Sequence, residues 1–397
     1  MKFAYIEKKH YLCRHNLIHR TMIEYIDRRN TNCIKWDSDE SRGLLPLWVA
    51  DMDFKAAPPI LAAMQRRLDH GVFGYEYVPQ AYYDAISSWF ARRHGWKGIT
   101  RRQIIYTTSV VSGISAILKA MVQPGEGVVV QTPAYNCFFS CLENMECRLL
   151  ASPLKVIDHH YEVDWEQFEQ QVQQAKIFLL CNPHNPTGRV WTRSELERMA
   201  AICERHGVFV ISDEIHCEFT FPGVDYTPFA TVASSTNYCV CISPSKAFNL
   251  AGLHCANIFV PDEAVYARID RAVNIHEVEE MNPFGVEALM AAYNESEAWL
   301  DELQQLIYSH YQYVCQFIRE HLPCFSVTKE EGTYLAWVNI SASGLSAEEL
   351  CQRLARQEHV LFNPSEMYGA AGYIRINLAT SRENLTEALQ HLRKIIS

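Results

Sequence analysis

Short apolar runs alternate with amphipathic segments through the middle of the chain. The runs are rich in β-branched residues, as is typical of buried strands, and lie at Ile104–Tyr106, Val128–Gln131, Ile177–Cys181, Val208–Ile211, Tyr238–Ile242 and Asn257–Val260. Helical-period segments separate several of them. In Ser194–His206, for example, Leu196, Met199 and Cys203 share one face. Strands that alternate with helices predict an α/β fold, in which helices cover both faces of a mostly parallel sheet.

The pattern changes after about residue 290. The spacing predicts a long amphipathic helix over Glu297–Leu322, a helix at Ala347–Gln357, and strands at Tyr334–Ile340 and Tyr373–Leu378. We therefore predict a smaller α+β domain beside the large one. The predicted boundaries are an N-terminal extension over 1–23, a large domain over 60–292, and a small domain made of 24–59 with 293–397.

Composition and charge narrow the function classes. The chain has 397 residues, 48% of them hydrophobic and 21% charged, which is ordinary for a globular protein. A net charge of −10 without a long basic run disfavours nucleic acid or an anionic membrane as a partner. The longest apolar run, Ala288–Tyr293, is far below the roughly 20 residues of a membrane-spanning helix. Fourteen cysteines without a secretory signal or zinc-site spacing predict reduced thiols, a cytoplasmic protein and no metal.

Polar side chains follow three of the predicted strands. In an open parallel sheet, ligands bind outside the carboxyl ends of the strands. The motifs NPHNPTG, SDEIH and SPSKAF stand at these ends, and they carry Asn185, Asp213, His216, Ser243, Ser245 and Lys246. An amide, a carboxylate and an amine are therefore expected to meet in one crevice.

An amine among small hydroxyl residues is suited to form a Schiff base with a carbonyl cofactor. Pyridoxal phosphate also requires an anion against its ring nitrogen, and Asp213 is the candidate. Asn185, helped by His216, would donate a hydrogen bond to the phenolic oxygen of the ring. Tyr135, in QTPAYN after the strand at Val128–Gln131, would stack on the ring face.

The phosphate of such a cofactor requires backbone N–H groups at a helix start, together with hydroxyls. TTSVVSGI supplies a helix start at Val110 and Val111, while Ser243 and Ser245 supply hydroxyls. Each residue also has an ordinary alternative: Lys246 as a solvated charge, Asp213 as a helix cap, and Tyr135 or His216 as core residues. Their coincidence at consecutive strand ends favours a site.

These motifs also resemble a known family. NPxNPTG, then SDE, then SxSK, with 33 residues from Asp213 to Lys246, is similar to the fold-type I pyridoxal-phosphate enzymes of aminotransferase class I/II. From about residue 24 onward, further strings resemble the MalY/PatB branch, which contains cystathionine β-lyases (cysteine-S-conjugate β-lyases). Among them are PLWVADMDF (Pro46–Phe54), GTYLAW (Gly332–Trp337) and YIRINLAT (Tyr373–Thr380).

The resemblance implies a seven-stranded sheet in the large domain and a role for each matching residue. Lys246 would be the cofactor-linked catalytic lysine, with Asp213 the partner of the ring nitrogen. Arg375, in YIRIN, would bind the substrate α-carboxylate together with Asn185, although a strand-edge surface arginine is the ordinary alternative. Tyr75 would reach the cofactor phosphate of the neighbouring subunit in a homodimer, the alternative being a core aromatic.

Two departures from the wider aminotransferase pattern concern the cofactor. His216 stands where that pattern has tyrosine, which fits the lyase branch. His254 stands where many aminotransferases have an arginine for the phosphate. Phosphate binding should therefore depend more on hydroxyls and backbone N–H groups.

The expected activity is β-elimination from an amino acid that bears sulfur at Cβ, such as L-cystathionine, to give a thiol, pyruvate and ammonia. Transamination by the same site is the nearest alternative. A non-catalytic regulatory or binding protein on the same fold is a third. Neither GxxxxGK[ST] nor GxGxxG occurs, so a P-loop or dinucleotide enzyme is disfavoured.

Overall fold

The computed structural model describes residues 21–275 and 281–396. Most of the predicted N-terminal extension over 1–23 lies outside these residues. Twelve α-helices, numbered in chain order over the described residues, are α1 Ile34–Asp37, α2 Pro58–His70, α3 Gln80–His94, α4 Val110–Met121, α5 Asn136–Asn144, α6 Trp165–Val172, α7 Arg193–Arg205, α8 Glu263–Val273, α9 Pro283–Glu295, α10 Glu297–His321, α11 Ala347–Arg353 and α12 Arg382–Ile396.

The strands of the described residues, again in chain order, are β1 Leu45–Pro46, β2 Ile104–Thr107, β3 Gly127–Thr132, β4 Arg148–Pro153, β5 Lys155–Ile157, β6 His160–Glu162, β7 Ala175–Cys181, β8 Phe209–Asp213, β9 Tyr238–Ile242, β10 Ala256–Phe259, β11 Ser326–Val327, β12 Leu335–Asn339, β13 Val360–Leu361, β14 Asn363–Pro364 and β15 Tyr373–Asn377. All six strands predicted between 100 and 260 form. β4 also forms, although the sequence analysis predicts no strand at these residues.

A seven-stranded sheet organises the middle of the chain, in the order β2-β10-β9-β8-β7-β3-β4. β10 is antiparallel to both of its neighbours, and the remaining pairs are parallel. The prediction of a mostly parallel seven-stranded sheet is therefore confirmed. Because six strands point the same way, their carboxyl ends meet along one edge.

The sheet is buried on both faces, and the side chains of β7 show why. Ile177 and Leu179 pack in one apolar cluster with Ile117 of α4. Phe178 and Leu180 pack in the other, which includes residues of α7. Successive residues of a strand point to opposite faces, so a run that is apolar at every position must be covered by helices on both sides.

A second sheet of four strands, in the order β11-β12-β15-β14, is antiparallel. It contains the predicted strands near Tyr334–Ile340 and Tyr373–Leu378, and α10 covers nearly the whole of the predicted long helix. The predicted division into a large and a small domain at the stated boundaries stays a prediction. Among the described residues, no helix is both long enough and apolar enough to cross a membrane.

Candidate active site

A cavity of about 720 Å³ opens at the carboxyl ends of β7, β8 and β9. The register places Cys181, Asp213 and Cys241 side by side at these ends. Nine residues predicted to bind the cofactor line the cavity together: Val110, Val111, Tyr135, Asn185, Asp213, His216, Ser243, Ser245 and Lys246. The topology of the sheet thus gathers residues that are up to 136 positions apart in the chain (246 − 110).

The amine of Lys246 is the reactive group of the cavity. Its Nζ donates a hydrogen bond to the backbone carbonyl of Ala50 at 2.6 Å. Burial lowers the pKa of this amine, the nearby carboxylate of Asp51 raises it, and the charge of Arg375 lowers it. Since burial is the largest of these effects, the amine exchanges protons more readily than an ordinary lysine.

Asp213 ends β8 and is 4% exposed. Its Oδ1 accepts a hydrogen bond from the backbone N–H of Ile215 at 3.1 Å. Burial raises its pKa to about 7, against the lowering by that bond and by the charge of Lys246. A buried carboxylate of this kind is stabilised by a cation, and a protonated ring nitrogen supplies one.

Asp213, and not the adjacent Glu214, is the carboxylate of the cavity. Glu214 accepts hydrogen bonds from the Ser212 hydroxyl at 2.7 Å and the Phe229 backbone N–H at 2.9 Å, as well as from Tyr226. These bonds hold the Glu214 carboxylate among protein groups, and only Asp213 of the two lines the cavity.

His216 is neutral in this environment. Burial, followed by the charges of Lys246 and Arg375, lowers its pKa to about 3. Its ring packs edge-on against Tyr334 at 5.6 Å, and its Nδ1 is buried without a hydrogen-bond partner. A ring nitrogen without a partner beside a cavity is suited to a ligand group placed there.

Arg375 lies on β15, 4% exposed, behind Asn185. Its Nη1 donates to Asn185 Oδ1 at 3.1 Å, and its Nη2 donates to the Trp48 carbonyl at 2.9 Å. Its Nε is buried without a partner. The guanidinium lies over the ring of Tyr368, 4.8 Å from the centroid. The alternative of a surface arginine is therefore wrong.

The N-terminus of α4 also lines the cavity. Ser109 caps this helix by accepting from the Ser112 backbone N–H at 3.0 Å, and Val110 and Val111 follow in its first turn. The first N–H groups of a helix have no partner inside the helix, so they can bind an anion. His254 is exposed and does not belong to the cavity lining.

These features fit pyridoxal phosphate. The cavity lining contains a carboxylate for the ring nitrogen, and it contains a helix N-terminus with a hydroxyl for the phosphate. Ser243 Oγ donates its one proton to the Cys255 carbonyl at 2.7 Å, which in this conformation leaves donation to a phosphate to the Ser245 hydroxyl. Tyr135 contributes an aromatic side chain to the lining, and Lys246 supplies an amine for the carbonyl carbon.

Tyr75 lies outside the cavity. Its side chain is 90% exposed, which excludes the core position that was its alternative. Phe73 and Tyr77 beside it are also exposed, at 52% and 85%. Exposed aromatics at this density are unusual on a surface that faces only water.

Sequence reasoning missed the segment Trp48–Met52, which we call the strap. The strap lies across the site. Its Trp48 carbonyl accepts a hydrogen bond from Arg375, and its Ala50 carbonyl accepts one from Lys246. It also missed Tyr334, whose hydroxyl donates to the same Ala50 carbonyl at 3.0 Å. The strings PLWVADMDF and GTYLAW were the available signals, but neither contains a spacing that predicts contact with a lysine 196 residues away.

Comparisons with known proteins agree with the geometry. Residues 43–392 match the family described as aminotransferase class I and II. The chain is 37% identical over 381 residues to cystathionine beta-lyase PatB of Bacillus subtilis (strain 168), covering 94% of this chain and 98% of that protein.

Two solved structures extend the comparison. A PLP-bound putative aminotransferase of Clostridium difficile 630 superposes with a TM-score of 0.92 at 38% identity, covering 95% of this chain and 99% of the other. A PLP-bound C-S lyase of Staphylococcus hominis superposes with a TM-score of 0.89 at 30% identity, covering 95% and 98%.

The sheet, the amine and the carboxylate define a pyridoxal-phosphate enzyme of fold type I. The chain belongs to the aminotransferase class I and II family.

Proposed function

We propose that this protein is a pyridoxal-phosphate-dependent carbon–sulfur β-lyase that cleaves L-cystathionine or a related cysteine S-conjugate. The observation that carries the proposal is the single cavity shared by the Lys246 amine, the Asp213 carboxylate and Asn185, with Arg375 bonded to Asn185 behind it. The similarity to PatB and to the C-S lyase of S. hominis supports the choice of reaction.

Each residue of the cavity has a proposed part in holding the cofactor. Lys246 would make the covalent link, Asp213 would face the ring nitrogen, and Tyr135 would stack on the ring. Asn185 and His216 would face the phenolic oxygen. The N–H groups of Val110 and Val111, with the hydroxyl of Ser245, would hold the phosphate. Ser243 would join them by turning its hydroxyl away from the Cys255 carbonyl. When bound, pyridoxal phosphate withdraws electrons from the substrate Cα.

Arg375 and Asn185 are proposed to orient the substrate. The guanidinium can present two parallel N–H groups to the α-carboxylate, which fixes both its position and its plane. Asn185 already accepts from Nη1 at 3.1 Å, so the two side chains form one preassembled surface. A substrate held by its carboxylate in this way would be oriented for the Lys246 amine to reach its Cα–H bond.

Lys246 is also the proposed general base, a role that its amine would take once the substrate amine has replaced it on the cofactor. Its lowered pKa favours the neutral amine, which takes the Cα proton. The electron pair of that bond forms a Cα–Cβ double bond, and the Cβ–S bond breaks with its electron pair leaving on sulfur. The thiolate takes up a proton. The Lys246 amine would then regain its bond to the cofactor, and the enamine released by this exchange adds water to give pyruvate and ammonia.

The test is to mix the purified holoenzyme with L-cystathionine and measure pyruvate and free thiol together. We expect equal amounts of both without any added keto acid, and none with Lys246→Ala. Turnover that requires a keto acid would support transamination, the activity suggested by the name of the C. difficile neighbour. A purified protein without cofactor absorbance would instead favour a non-catalytic role.

A homodimer in which Tyr75 reaches the cofactor phosphate of the partner is also proposed. The exposure of Phe73, Tyr75 and Tyr77 supports it, since a second copy of the chain would cover these rings. Mixed dimers of Tyr75→Ala and Lys246→Ala chains test it. One site of each mixed dimer would then contain both native residues, and its affinity for cofactor should return to the wild-type value. If Tyr75 acts within its own chain, mixing restores nothing.

We further propose a cytoplasmic location. The thirteen cysteines of the described residues are all free, and most are buried. Free thiols at this density persist in reducing compartments. Alkylation of the protein in freshly lysed cells, followed by mass spectrometry, should find these thiols reduced.

A further inference from the structure

Two donors share one carbonyl in the site. The Ala50 carbonyl accepts from Lys246 Nζ at 2.6 Å and from the Tyr334 hydroxyl at 3.0 Å. A carbonyl oxygen has two lone pairs, so both bonds can form together. When the amine leaves to act elsewhere, the hydroxyl still satisfies the buried acceptor, and the amine can therefore leave and return reversibly.

Hydrogen bonds on both sides of Ala50 hold this part of the strap in place. Asn377 Nδ2 donates to the carbonyls on either side, Val49 at 2.6 Å and Asp51 at 2.7 Å. Trp48 O accepts from Asn363 Nδ2 at 2.9 Å as well as from Arg375. The Ala50 carbonyl is thus held at a fixed place relative to both Lys246 and the carboxylate-binding arginine.

The Tyr334 side chain is also held in one position by its packing. It is fully buried, and its ring packs against Phe219 at 4.9 Å as well as against His216. Thr333 before it has φ of +70°, an outlier for a β-branched residue. A Cβ on Gly332 would lie 2.2 Å from the Phe219 carbonyl, so only glycine fits there. Strain of this kind persists where the surrounding structure requires one conformation, and it clusters at functional sites.

We propose that the Ala50 carbonyl is the docking point of the free Lys246 amine during the reaction, and that Tyr334 is the positioning residue that makes this docking reversible. The proposal rests on the proposed role of Lys246 as the base. It does not require that the reaction be β-elimination, because a transaminase would move the same proton.

The experiment compares Tyr334→Phe with the wild type and with Tyr311→Phe as the matched control. Tyr311 also donates its hydroxyl to a backbone carbonyl, that of Thr328 at 2.8 Å, away from Lys246. The first readout is the rate at which the cofactor-free protein forms its bond to added pyridoxal phosphate, followed by visible absorbance. The second is exchange of the Cα proton of L-alanine in D₂O, followed by NMR. Alanine has no leaving group, so this exchange reports proton transfer alone.

We expect Tyr334→Phe to slow bond formation about five-fold or more, and the saturating exchange rate about ten-fold or more. Half-saturation by alanine should stay within about two-fold, because Arg375 is untouched. Tyr311→Phe should leave both rates near wild type. Unchanged rates in Tyr334→Phe, or equal losses in the two variants, would overturn the proposal. Absence of exchange in the wild type would refute the role of Lys246 itself, whereas exchange without pyruvate from cystathionine would refute only the lyase assignment.

Discussion

Replacing Arg375 by lysine keeps the positive charge and removes the planar fork. In the structure, Nη1 and Nη2 donate to Asn185 and to the strap at Trp48, and Nε is a buried donor without a partner. A lysine presents one nitrogen and cannot make two parallel bonds to a carboxylate. The variant therefore loses at least one charge-assisted hydrogen bond to the substrate.

The size of the effect follows from the strength of such a bond. A hydrogen bond to a charged group contributes about 1.5–3 kcal/mol, and about 1.4 kcal/mol corresponds to a factor of ten. We expect the KM for the amino-acid substrate to rise about 10- to 100-fold in Arg375→Lys. The kcat should fall much less, because Lys246 and Asp213 keep their positions.

Steady-state pyruvate formation measures both parameters, and a spectral titration with L-alanine measures binding independently. Arg382→Lys is the matched control, since Arg382 also lies over a tyrosine ring, that of Tyr313 at 4.3 Å, and donates to the Ser309 carbonyl. An unchanged KM in Arg375→Lys, or an equal rise in the control, would refute carboxylate binding by this arginine.

Three further predictions concern the amine, a buried ion pair and pH. Lys246→Ala should lower turnover by about 10³-fold or more while near-UV circular dichroism stays native. Lys35→Met should lower the free energy of unfolding in urea by about 3 kcal/mol, because Lys35 is fully buried 2.8 Å from Asp53. The control Lys55→Met breaks the exposed pair of Lys55 with Glu24 and should cost under about 1 kcal/mol. Equal losses in the two variants would contradict this. The pKa of Asp213, raised from 3.8 to about 7, means that the folded cofactor-free protein retains a proton that the unfolded chain loses. The contribution of Asp213 to stability therefore falls as pH rises from about 4 to about 7. In urea unfolding, the wild type should lose stability relative to Asp213→Asn across this pH range. A difference in unfolding free energy between the two proteins that stays constant with pH would refute the burial argument.

The fold and much of the site could be predicted because both depend on short stretches of sequence. Buried parallel strands must be apolar at every position, so β7, β8 and β9 are visible as β-branched and apolar runs. The carboxyl ends of parallel strands lie along the same edge of a sheet, whatever the order of the strands within it. The sequence therefore predicts that Asn185, Asp213 and Lys246 lie close together. β4 was missed because its burial alternates and its first residues are exposed.

The sequence by itself therefore determined the sheet, the residues at its ends and the cofactor that suits them. Tertiary structure alone decided how those residues are held. It directed Asp213 rather than Glu214 into the cavity, buried Arg375 behind Asn185, and placed the strap across Lys246. Local pattern cannot encode these contacts, because Arg375 is 190 positions from Asn185 in the chain and Lys246 is 196 positions from Ala50. Only tertiary packing brings the Ala50 carbonyl of the strap within hydrogen-bonding distance of both the Lys246 amine and the Tyr334 hydroxyl.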